Sequence, residues 1–322
     1  MQSGKVMPAQ LCTNKTRGVI DFITDTSLNV IDILVYSSVY VSLCAVSLLV
    51  VSCVLQEIPC TPAMGIITFL VTFAIYNLNR KTDEAEDAVN HSQRLKFTKK
   101  YGKYLYSASF VFYIFGLILA STYGIMVLLM ATISLIVGIL YSIPFLPEQF
   151  RYRRLKEIPT IKNVTLGLVW AITLTLLPVF MTAGSLTGTT YITGIYLYTF
   201  FFINTTLFDM RDVGGDRLAG VCTIPVYVGM PITKHVLSVI NILLGVIVVW
   251  YFVNVNAYFV VFLVVLGMVF TQMLILFFDR YGSNHYFCDV LADGEFILIG
   301  IFLFVLGLLV PGLIAVSPLV IG

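Results

Sequence analysis

The spacing of charged residues constrains this chain more than any other sequence feature. No Asp, Glu, Lys or Arg occurs from Tyr104 to Pro147, from Asn163 to Phe208, or from His235 to Phe278, windows of 44, 46 and 44 residues. An α-helix needs about 20 predominantly apolar residues to cross a bilayer. Each window therefore predicts two membrane crossings joined by a short turn.

Two further windows complete the count. Ile33 to Asn79 contains a single charge, Glu57 near its centre, and Phe296 to Gly322 contains none. The first predicts two crossings and the second predicts one. The predicted fold is therefore an all-α polytopic membrane protein with nine transmembrane helices around a central cavity. The approximate spans are 29–54, 62–79, 104–121, 124–143, 163–183, 189–208, 233–253, 256–278 and 295–316.

The composition excludes several other classes of protein. Charged residues make up 11% of the chain and hydrophobic residues 59%, whereas soluble domains carry about 25% charged residues. A soluble domain, a nucleic-acid binder and a disulfide-rich secreted module are all excluded. The six cysteines show no CxxC pairing. The expected surroundings of the chain are the lipid bilayer, and we infer no obligate protein partner.

The positions of the basic residues predict the orientation. All 19 Lys and Arg residues lie in the N-terminal tail or in every second loop, with seven between Arg80 and Lys103. Because cytoplasmic loops are enriched in Lys and Arg, we expect a multi-pass protein of the cell membrane with its N-terminus and these loops in the cytoplasm. No signal peptide is recognised. We expect residues 1–28 to form a cytoplasmic tail and residues 29–322 a single transmembrane domain.

Seven of the 17 acidic residues lie in two short stretches, where predicted helices 2 and 6 end. In the first stretch Asn79, Asp83 and Asp87 follow the spacing i, i+4, i+8, which places them on one face if the helix continues. In the second stretch Asp209, Asp212 and Asp216 follow the spacing i, i+3, i+7, although two glycines leave a local break open.

Like charges at such a spacing repel one another, so the two stretches call for a cation. Oxygen ligands without nearby His or Cys favour a hard ion, Mg²⁺ rather than Zn²⁺. Mg²⁺ usually completes its shell with water and phosphate oxygens, and cationic residues adjoin both stretches. A diphosphate is therefore the predicted shared ligand. The predicted metal ligands are Asn79, Asp83, Asp87, Asp209, Asp212 and Asp216.

The separation of the two stretches suggests an old duplication. Asp83 and Asp212 are 129 residues apart, and so are Asp87 and Asp216. A four-helix pseudo-repeat would place the two stretches symmetrically across a central cavity.

These residues resemble the motifs of the UbiA superfamily of intramembrane prenyltransferases. An NxxxDxxxD motif matches Asn79, Asp83 and Asp87. A second motif, DxxDxxGDxxxG, is matched by Asp209, Asp212, Gly215, Asp216 and Gly220, followed by Thr223-Ile224-Pro225-Val226. A Tyr-Ser-x-Pro element matches residues 141–144, and a basic run matches residues 154–163. The resemblance covers nearly the whole chain after about Ser27.

The resemblance implies Mg²⁺-dependent transfer of a polyprenyl group from an allylic diphosphate to an acceptor within the membrane. It implies catalytic roles for Asp83, Asp87, Asp212, Asp216 and Lys156. It implies substrate-binding roles for Asn79, Arg80, Tyr141, Arg154, Lys162, Arg211 and Arg217. The acceptor stays open between an aromatic or quinone precursor and a lipid. The aromatic run 196–202 is a plausible cavity wall, although packed core is the simpler interpretation.

Other interpretations of the sequence differ in class. A membrane transporter with a cation or anion site at its cytoplasmic face is the main alternative, although transporters place charges near the middle of their spans. A non-catalytic scaffold would give no reason for two carboxylate stacks. We expect the three histidines to lie in loops or at membrane boundaries. Asp289, Asp293 and Glu295, which precede the last helix, are candidates either to contact the acceptor or to cap that helix, and capping is the favoured interpretation.

Overall fold

The computed structural model of the protein describes residues 30–82, 84, 91–143, 147, 154, 157–158, 160–219 and 221–309. Throughout these ranges the regular structure is helical and no strand occurs, as the charge-free windows predict. The predicted tail, residues 1–28, lies outside the described residues.

The described residues form eleven α-helices and one short π-helix, from Phe287 to Ala292. The α-helices are α1 (Val30–Tyr36), α2 (Val39–Leu55), α3 (Pro62–Thr82), α4 (Ser92–Thr122), α5 (Ile125–Ser142), α6 (Ile161–Met181), α7 (Gly188–Ala219), α8 (Ile224–Val228), α9 (Met230–Asn254), α10 (Tyr258–Tyr281) and α11 (Glu295–Leu309).

Seven of the described helices are long and apolar enough to cross a membrane, and α1 with α2 forms an eighth span if the bent pair is counted as one. The last predicted span, 295–316, is described only as far as Leu309, over 15 residues. The protein is thus an integral, multi-pass membrane protein. Nine spans and the four-helix pseudo-repeat stay predictions.

The helices are arranged as a ring. Sequence neighbours pack side by side in the pairs α3 with α4, α6 with α7, and α9 with α10, and α11 packs against α2 to close the ring. The outer faces expose large apolar side chains such as Phe110, Ile118 and Trp250. Such a surface suits a lipid environment, where the helix exterior need not be polar.

The first predicted span, 29–54, is not one continuous helix. It breaks at Ser37 and Ser38, and α1 and α2 meet there at 75°. Ser38 is fully buried and has a positive φ of 67°, a left-handed conformation that costs an L-residue free energy. Charge-free windows carry no information about such a break, because both halves are equally apolar.

Helix α3 compensates for the break in the first span. A kink leaves backbone carbonyls without their helical partners, and buried carbonyls need a donor. Asn77 Nδ2 donates to the Ser37 carbonyl at 3.0 Å, and Arg80 Nη2 donates to the Val35 carbonyl at 2.6 Å. The bend and the end of α3 are therefore built as one unit.

Two helices extend beyond their predicted spans. Helix α4 begins at Ser92 rather than at residue 104, and α7 continues to Ala219 rather than ending at residue 208. The spans were bounded by charge, but charged residues do not end a helix that leaves the membrane. Gly214 and Gly215 do not break α7, so the second acidic stretch lies on one continuous helix.

A cavity of about 530 Å³ lies inside the ring. Along α6 its lining runs from Lys162 to Leu177, about 22 Å at 1.5 Å per residue. The deep end is apolar, with Ile67, Ala131 and Leu174 in its wall. The other end is lined by polar and charged side chains.

Candidate active site

The polar end of the cavity brings together residues from three helices, Asn79 on α3, Lys162 on α6, and Asp212 and Asp216 on α7. We call these four residues the first polar group. Asp212 and Asp216 are four residues apart on a continuous helix, so both carboxylates point to the same side. The helical spacing seen in the sequence is what places them on one wall.

Asp216 has spare hydrogen-bonding capacity. Its Oδ2 atom is buried and accepts no hydrogen bond from any residue that the structure describes. A buried carboxylate oxygen without a partner is costly unless a cation or a proton satisfies it. Asp216 therefore fits a ligand of a hard divalent cation.

Asp212 is held by the guanidinium of its neighbour. Arg211 Nε lies 2.8 Å from Asp212 Oδ1, and Arg211 Nη2 lies 3.0 Å from Asp212 Oδ2. His91, at the start of α4, contributes a ring nitrogen 3.7 Å from Asp212 Oδ1. Asp212 thus lines the cavity within a network of hydrogen bonds.

Asp209 does not fit the metal-ligand role that the sequence predicted. It is 1% exposed and is not among the cavity-lining residues. Lys162 Nζ donates to its Oδ1 at 2.5 Å, and Asn163 Nδ2 donates to its Oδ2 at 2.9 Å. Both oxygens are engaged, so Asp209 acts here as the anchor of Lys162. The sequence spacing could not reveal this role. Asp209 precedes Asp212 by three residues, and on the folded helix its side chain faces Lys162 and Asn163 of α6.

The predicted diphosphate-binding residues separate into two sets. Tyr141, Arg80 and Lys162 line the cavity, and Arg80 also supports the bend of the first span. Arg154 pairs with Glu157 at 2.8 Å and does not line the cavity, and Arg217 is exposed at the end of α7. The structure thus does not bring Arg154 and Arg217 to the cavity wall.

Three predicted catalytic residues, Asp83, Asp87 and Lys156, lie outside the described residues. Within the described ranges, no group of three His, Cys, Asp or Glu side chains is arranged to hold a metal ion. Of the predicted ligands in the first acidic stretch, Asn79 is the one that the structure describes, and it lines the cavity. The complete ligand set stays a prediction.

A second polar group lies on the cavity wall near the start of α11. It consists of Asp289, Asp293, Asn204 and Tyr76, all of which line the cavity. Asp289 lies in the π-helix, and Asp293 follows it directly. π-Helical turns are rare and frequently occur at functional sites. The sequence interpretation favoured capping of the last helix over contact with the acceptor, and the structure places both acids on the cavity wall.

Arg211 connects the two polar groups. In addition to its bonds with Asp212, it donates from Nη1 to Asp289 Oδ1 at 2.6 Å. Its Nη2 also lies 3.0 Å from His91 Nε2, and its guanidinium stacks over the Phe208 ring at 4.8 Å. Arg211 was predicted to bind substrate; it lines the cavity, but its donors already engage protein carboxylates.

Asp293 is held largely in its protonated form. Burial, and after it the nearby Asp289, raise the pKa of Asp293 to about 8, although the Asn204 side chain and Arg211 oppose the shift. Desolvation penalises a charged carboxylate, which explains the direction. A carboxyl group with a pKa near neutrality in a cavity is a candidate functional residue.

Two further cavity residues escaped the sequence interpretation. His91 and Arg94, both near the start of α4, line the polar end. The sequence interpretation left His91 in a loop or at a boundary, because a single histidine carries no spacing pattern. The only available signal was its place directly after the first acidic stretch.

A ring of long apolar helices around a cavity with a charged end and an apolar depth defines a class of protein, an integral membrane protein shaped for an amphiphilic ligand. The profile of the UbiA prenyltransferase family matches residues 38–286. The chain therefore belongs to the UbiA prenyltransferase family, which confirms the resemblance inferred from the motifs. No curated protein sequence matches the chain significantly.

Solved structures share the fold. A UbiA homolog from Archaeoglobus fulgidus bound to GPP and Mg²⁺ has a TM-score of 0.64 at 15% identity, covering 88% of this chain and 99% of its own. An apo UbiA homolog from Aeropyrum pernix K1 has a TM-score of 0.59 at 17% identity, covering 82% and 98%. A digeranylgeranylglyceryl phosphate synthase has a TM-score of 0.54 at 17% identity, covering 88% and 96%.

Proposed function

We propose that this enzyme transfers a polyprenyl group from an allylic diphosphate to an acceptor inside the membrane, and that the transfer depends on Mg²⁺. The observation that carries the proposal is the first polar group at the mouth of an otherwise apolar cavity about 22 Å deep. An isoprenyl diphosphate has the same division into a charged head and an apolar chain. The Archaeoglobus relative, bound to GPP and Mg²⁺, supports this proposal.

The oxygen atoms available in the first polar group suit Mg²⁺ as ligands. Asp216 has a buried oxygen without a partner among the described residues, and Asp212 and Asn79 supply further oxygen atoms on the same cavity wall. Together with Asp83 and Asp87 they would give the carboxylate-rich set that hard cations prefer. Bound there, Mg²⁺ would neutralise negative charge on the departing diphosphate.

Lys162 is suited to the phosphate oxygens. One of its three N–H donors is directed to Asp209, and its side chain lines the cavity. The remaining donors are available to an anion in the cavity. Asn163, which also holds Asp209, fixes the position of this lysine indirectly.

The reaction separates charge along the cavity. The bond between the allylic carbon and the diphosphate oxygen breaks, and its electron pair leaves with the diphosphate. The acceptor then forms a bond to that carbon and loses a proton. Tyr76, Tyr141, Trp170 and Phe208 line the cavity and can stabilise the intermediate cation through their π-faces.

A binding experiment tests the proposal. Purified protein in nanodiscs is titrated with geranylgeranyl diphosphate in Mg²⁺ or EDTA, for the wild type, Asp212→Asn and Asp216→Asn. We expect Mg²⁺-dependent binding that weakens at least tenfold in both variants. Asp279→Asn is the matched control, because Asp279 is 70% exposed, pairs with Lys234, and is not among the cavity-lining residues. Equal affinity in all four proteins would refute the proposal.

A product assay separates an enzyme from a transporter. A prenyltransferase supplied with Mg²⁺, a labelled donor and a panel of acceptors releases inorganic diphosphate and forms a labelled product. A transporter returns the donor intact. Recovery of only intact donor across aromatic, quinone-precursor and lipid acceptors, despite tight donor binding, would favour the transporter.

We also propose that the polar end of the cavity faces the cytoplasm, because all 19 Lys and Arg residues fall in the N-terminal tail and in alternate loops. In a background without the six native cysteines, Ser92→Cys at the start of α4 should be labelled by an impermeant maleimide only in inverted vesicles. Asn256→Cys, in the opposite turn, should be labelled only from the outside. The reverse pattern would invert the assignment.

A further inference from the structure

The second polar group contains more than acids that cap a helix. Asp293 directly precedes α11, where a carboxylate favours the helix dipole, yet it also lines the main cavity. Asp289 is already neutralised by Arg211 at 2.6 Å, so Asp293 is the member of the pair that faces the cavity without a guanidinium of its own.

A side pocket opens behind this group. It has a volume of about 50 Å³ and shares Asp293, Asn204 and Tyr76 with the main cavity. At roughly 10–15 Å³ for each water this volume holds a few water molecules, or a small chemical group of similar size. A ligand in the main cavity can therefore place part of its head group in the side pocket.

The walls of the side pocket are apolar and aromatic. Leu48, Phe200 and Phe201 line it together with Trp170, whose ring stacks on Phe201 at 5.8 Å. No Lys, Arg or His is among its described lining residues. An anionic group would lose its hydration there without gaining a cation, which is unfavourable. The pocket selects for an uncharged group.

Two hydroxyl groups beside the pocket have no protein partner among the described residues. Thr72 and Tyr76 lie one turn apart on α3, both line the main cavity, and neither side chain forms a hydrogen bond with the described residues. Thr72 is 1% exposed. Thr68, one turn earlier on α3, also lines the main cavity and also has a buried hydroxyl without a partner among the described residues. A nearly buried hydroxyl without a partner in a cavity wall points to a polar ligand.

We propose that Asp293, Asn204 and Tyr76, with the aromatic side pocket behind them, form the subsite of the acceptor, and that this subsite binds the uncharged hydroxyl group of an alcohol or a phenol. The inference rests on the proposed transfer function and assigns the acceptor to a wall separate from Asp212 and Asp216.

The chemistry of Asp293 suits a hydroxyl partner. Because burial raises its pKa to about 8, the carboxyl group near neutral pH offers both an O–H donor and a carbonyl acceptor. A hydroxyl group likewise donates and accepts. Arg211 bonds both Asp289 and Asp212, which places this subsite next to the diphosphate end, as transfer between the two substrates requires.

The two tryptophans of the chain allow a direct measurement. Trp170 lines the side pocket, whereas Trp250 is 67% exposed on the outer surface. In a Trp250→Phe background, the fluorescence of Trp170, which lines both the side pocket and the main cavity, reports a ligand that binds beside it, and the leucine variants then locate that ligand. The probes are hydroquinone, 1-O-octylglycerol and the anion 4-hydroxybenzoate, added to protein in nanodiscs that contains Mg²⁺ and geranylgeranyl diphosphate.

We expect saturable fluorescence changes with at least one neutral probe, and at least tenfold weaker binding of 4-hydroxybenzoate. Asp293→Leu and Asn204→Leu should each weaken the neutral probe at least tenfold, and Asp279→Asn should not. Binding of hydroquinone alone would assign a phenol, and binding of octylglycerol alone an aliphatic alcohol. Neutral-probe binding that survives both leucine variants, or equal binding of the anion, would overturn the inference.

Donor binding separates this inference from the proposed function. Asp293→Leu should leave the Mg²⁺-dependent affinity for geranylgeranyl diphosphate within threefold of the wild type, and Asp216→Asn should reduce it. An equal loss of donor affinity in both variants would overturn the separate acceptor subsite while the transfer function stands.

Because a folding defect would also lower donor binding, retained donor affinity shows that Asp293→Leu is folded. If Asp293→Leu does not fold, the milder Tyr76→Phe replaces it, with an expected loss of about threefold for the neutral probe only.

Discussion

Carboxylates of the same type take different roles within a few residues of one another on α7. Asp209 has both oxygens bonded by Lys162 and Asn163, whereas Asp216 has a buried oxygen without a described partner. The difference lies in which helix each side chain faces. Asp209 turns toward α6 and meets donors there, whereas the Oδ2 atom of Asp216 meets none among the described residues.

Asp209→Asn should separate anchoring from metal binding. The substitution removes the charge that holds Lys162 while keeping an acceptor for Asn163, and the loss of a charged hydrogen bond costs about 1.5–3 kcal/mol. We expect a lower thermal unfolding temperature and a several-fold weaker affinity for the diphosphate. The Mg²⁺ concentration needed for half-maximal binding should be unchanged. A shift of that concentration as large as in Asp216→Asn would restore Asp209 as a metal ligand.

Asp293 should make the stability of the protein depend on pH. Its pKa is about 8 in the folded protein and about 3.9 in an unfolded chain, so folding favours the protonated form and stability falls as pH rises between these values. The charged or titratable groups that face Asp293 are Asp289, Arg211, Tyr40, Cys44, Tyr76 and Cys288.

Unfolding temperatures of the wild type and Asp293→Asn, measured from pH 5.5 to 8.5, test this expectation. The wild type should lose stability with rising pH more steeply than the variant, because the amide does not titrate. Parallel curves would show that Asp293 is already ionised in the folded protein.

At the scale of the element, α7 joins the membrane to the site. It crosses the apolar layer and continues without a break through Gly214 and Gly215 to Ala219. This continuity fixes Asp212 and Asp216 on one wall. Glycine within a helix is destabilising by roughly 0.5–1 kcal/mol relative to alanine. The two glycines therefore make this part of α7 less stable than alanines at the same positions would.

Gly214→Ala should therefore stabilise the protein by about 0.5–1 kcal/mol, because an added Cβ meets no atom within 4 Å. Gly267→Ala on α10 is the contrasting variant, since its Cβ would approach the Tyr196 hydroxyl to 2.3 Å. Thermal unfolding in detergent should show opposite shifts. A loss of stability in Gly214→Ala would contradict the continuous helix.

The sequence predicted elements where charge or spacing carried the signal. Charge-free windows located the spans, and the i, i+4 spacing placed Asp212 and Asp216 on one face. The bend at Ser37 and Ser38 and the π-helical turn before α11 left no such signal. Both depend on contacts with distant helices, such as the bond from Asn77 to the Ser37 carbonyl, and tertiary contacts are invisible to local patterns.

The same limit applied to the site. Asp289 and Asp293 precede an apolar helix, where acids commonly act as caps, so their position on the cavity wall followed only from the packed ring. Arg217 and Arg154 are basic residues beside the motifs, but the structure keeps them off the cavity wall. Proximity in sequence to an acidic motif was thus a weak guide to which basic side chains line the cavity.

At the scale of the whole molecule, the depth of the cavity should set the length of the donor. Ala131 is 3% exposed and lies in the deep wall. Ala131→Leu adds atoms to that wall, and overpacking costs about 1–3 kcal/mol. We expect weaker binding of geranylgeranyl diphosphate, about tenfold, and little change for dimethylallyl diphosphate.

Ser107→Leu, on the exposed outer face of α4, serves as the control for the Ala131 variant and should alter neither affinity. Competition binding with donors of increasing chain length measures the selectivity. Equal losses for the short and the long donor would show that the deep wall does not contact the chain.

The position of Arg211 between the two polar groups has a further consequence for substrate binding. One guanidinium neutralises Asp212 in the first polar group and Asp289 in the second. A ligand that withdraws Asp212 from this guanidinium would alter the charge balance around Asp289, so we expect the two halves of the cavity to be thermodynamically linked. Linkage is reciprocal: whatever factor the donor imposes on acceptor affinity, the acceptor imposes on the donor. Arg211 is therefore the side chain through which we expect each substrate to change the affinity for the other.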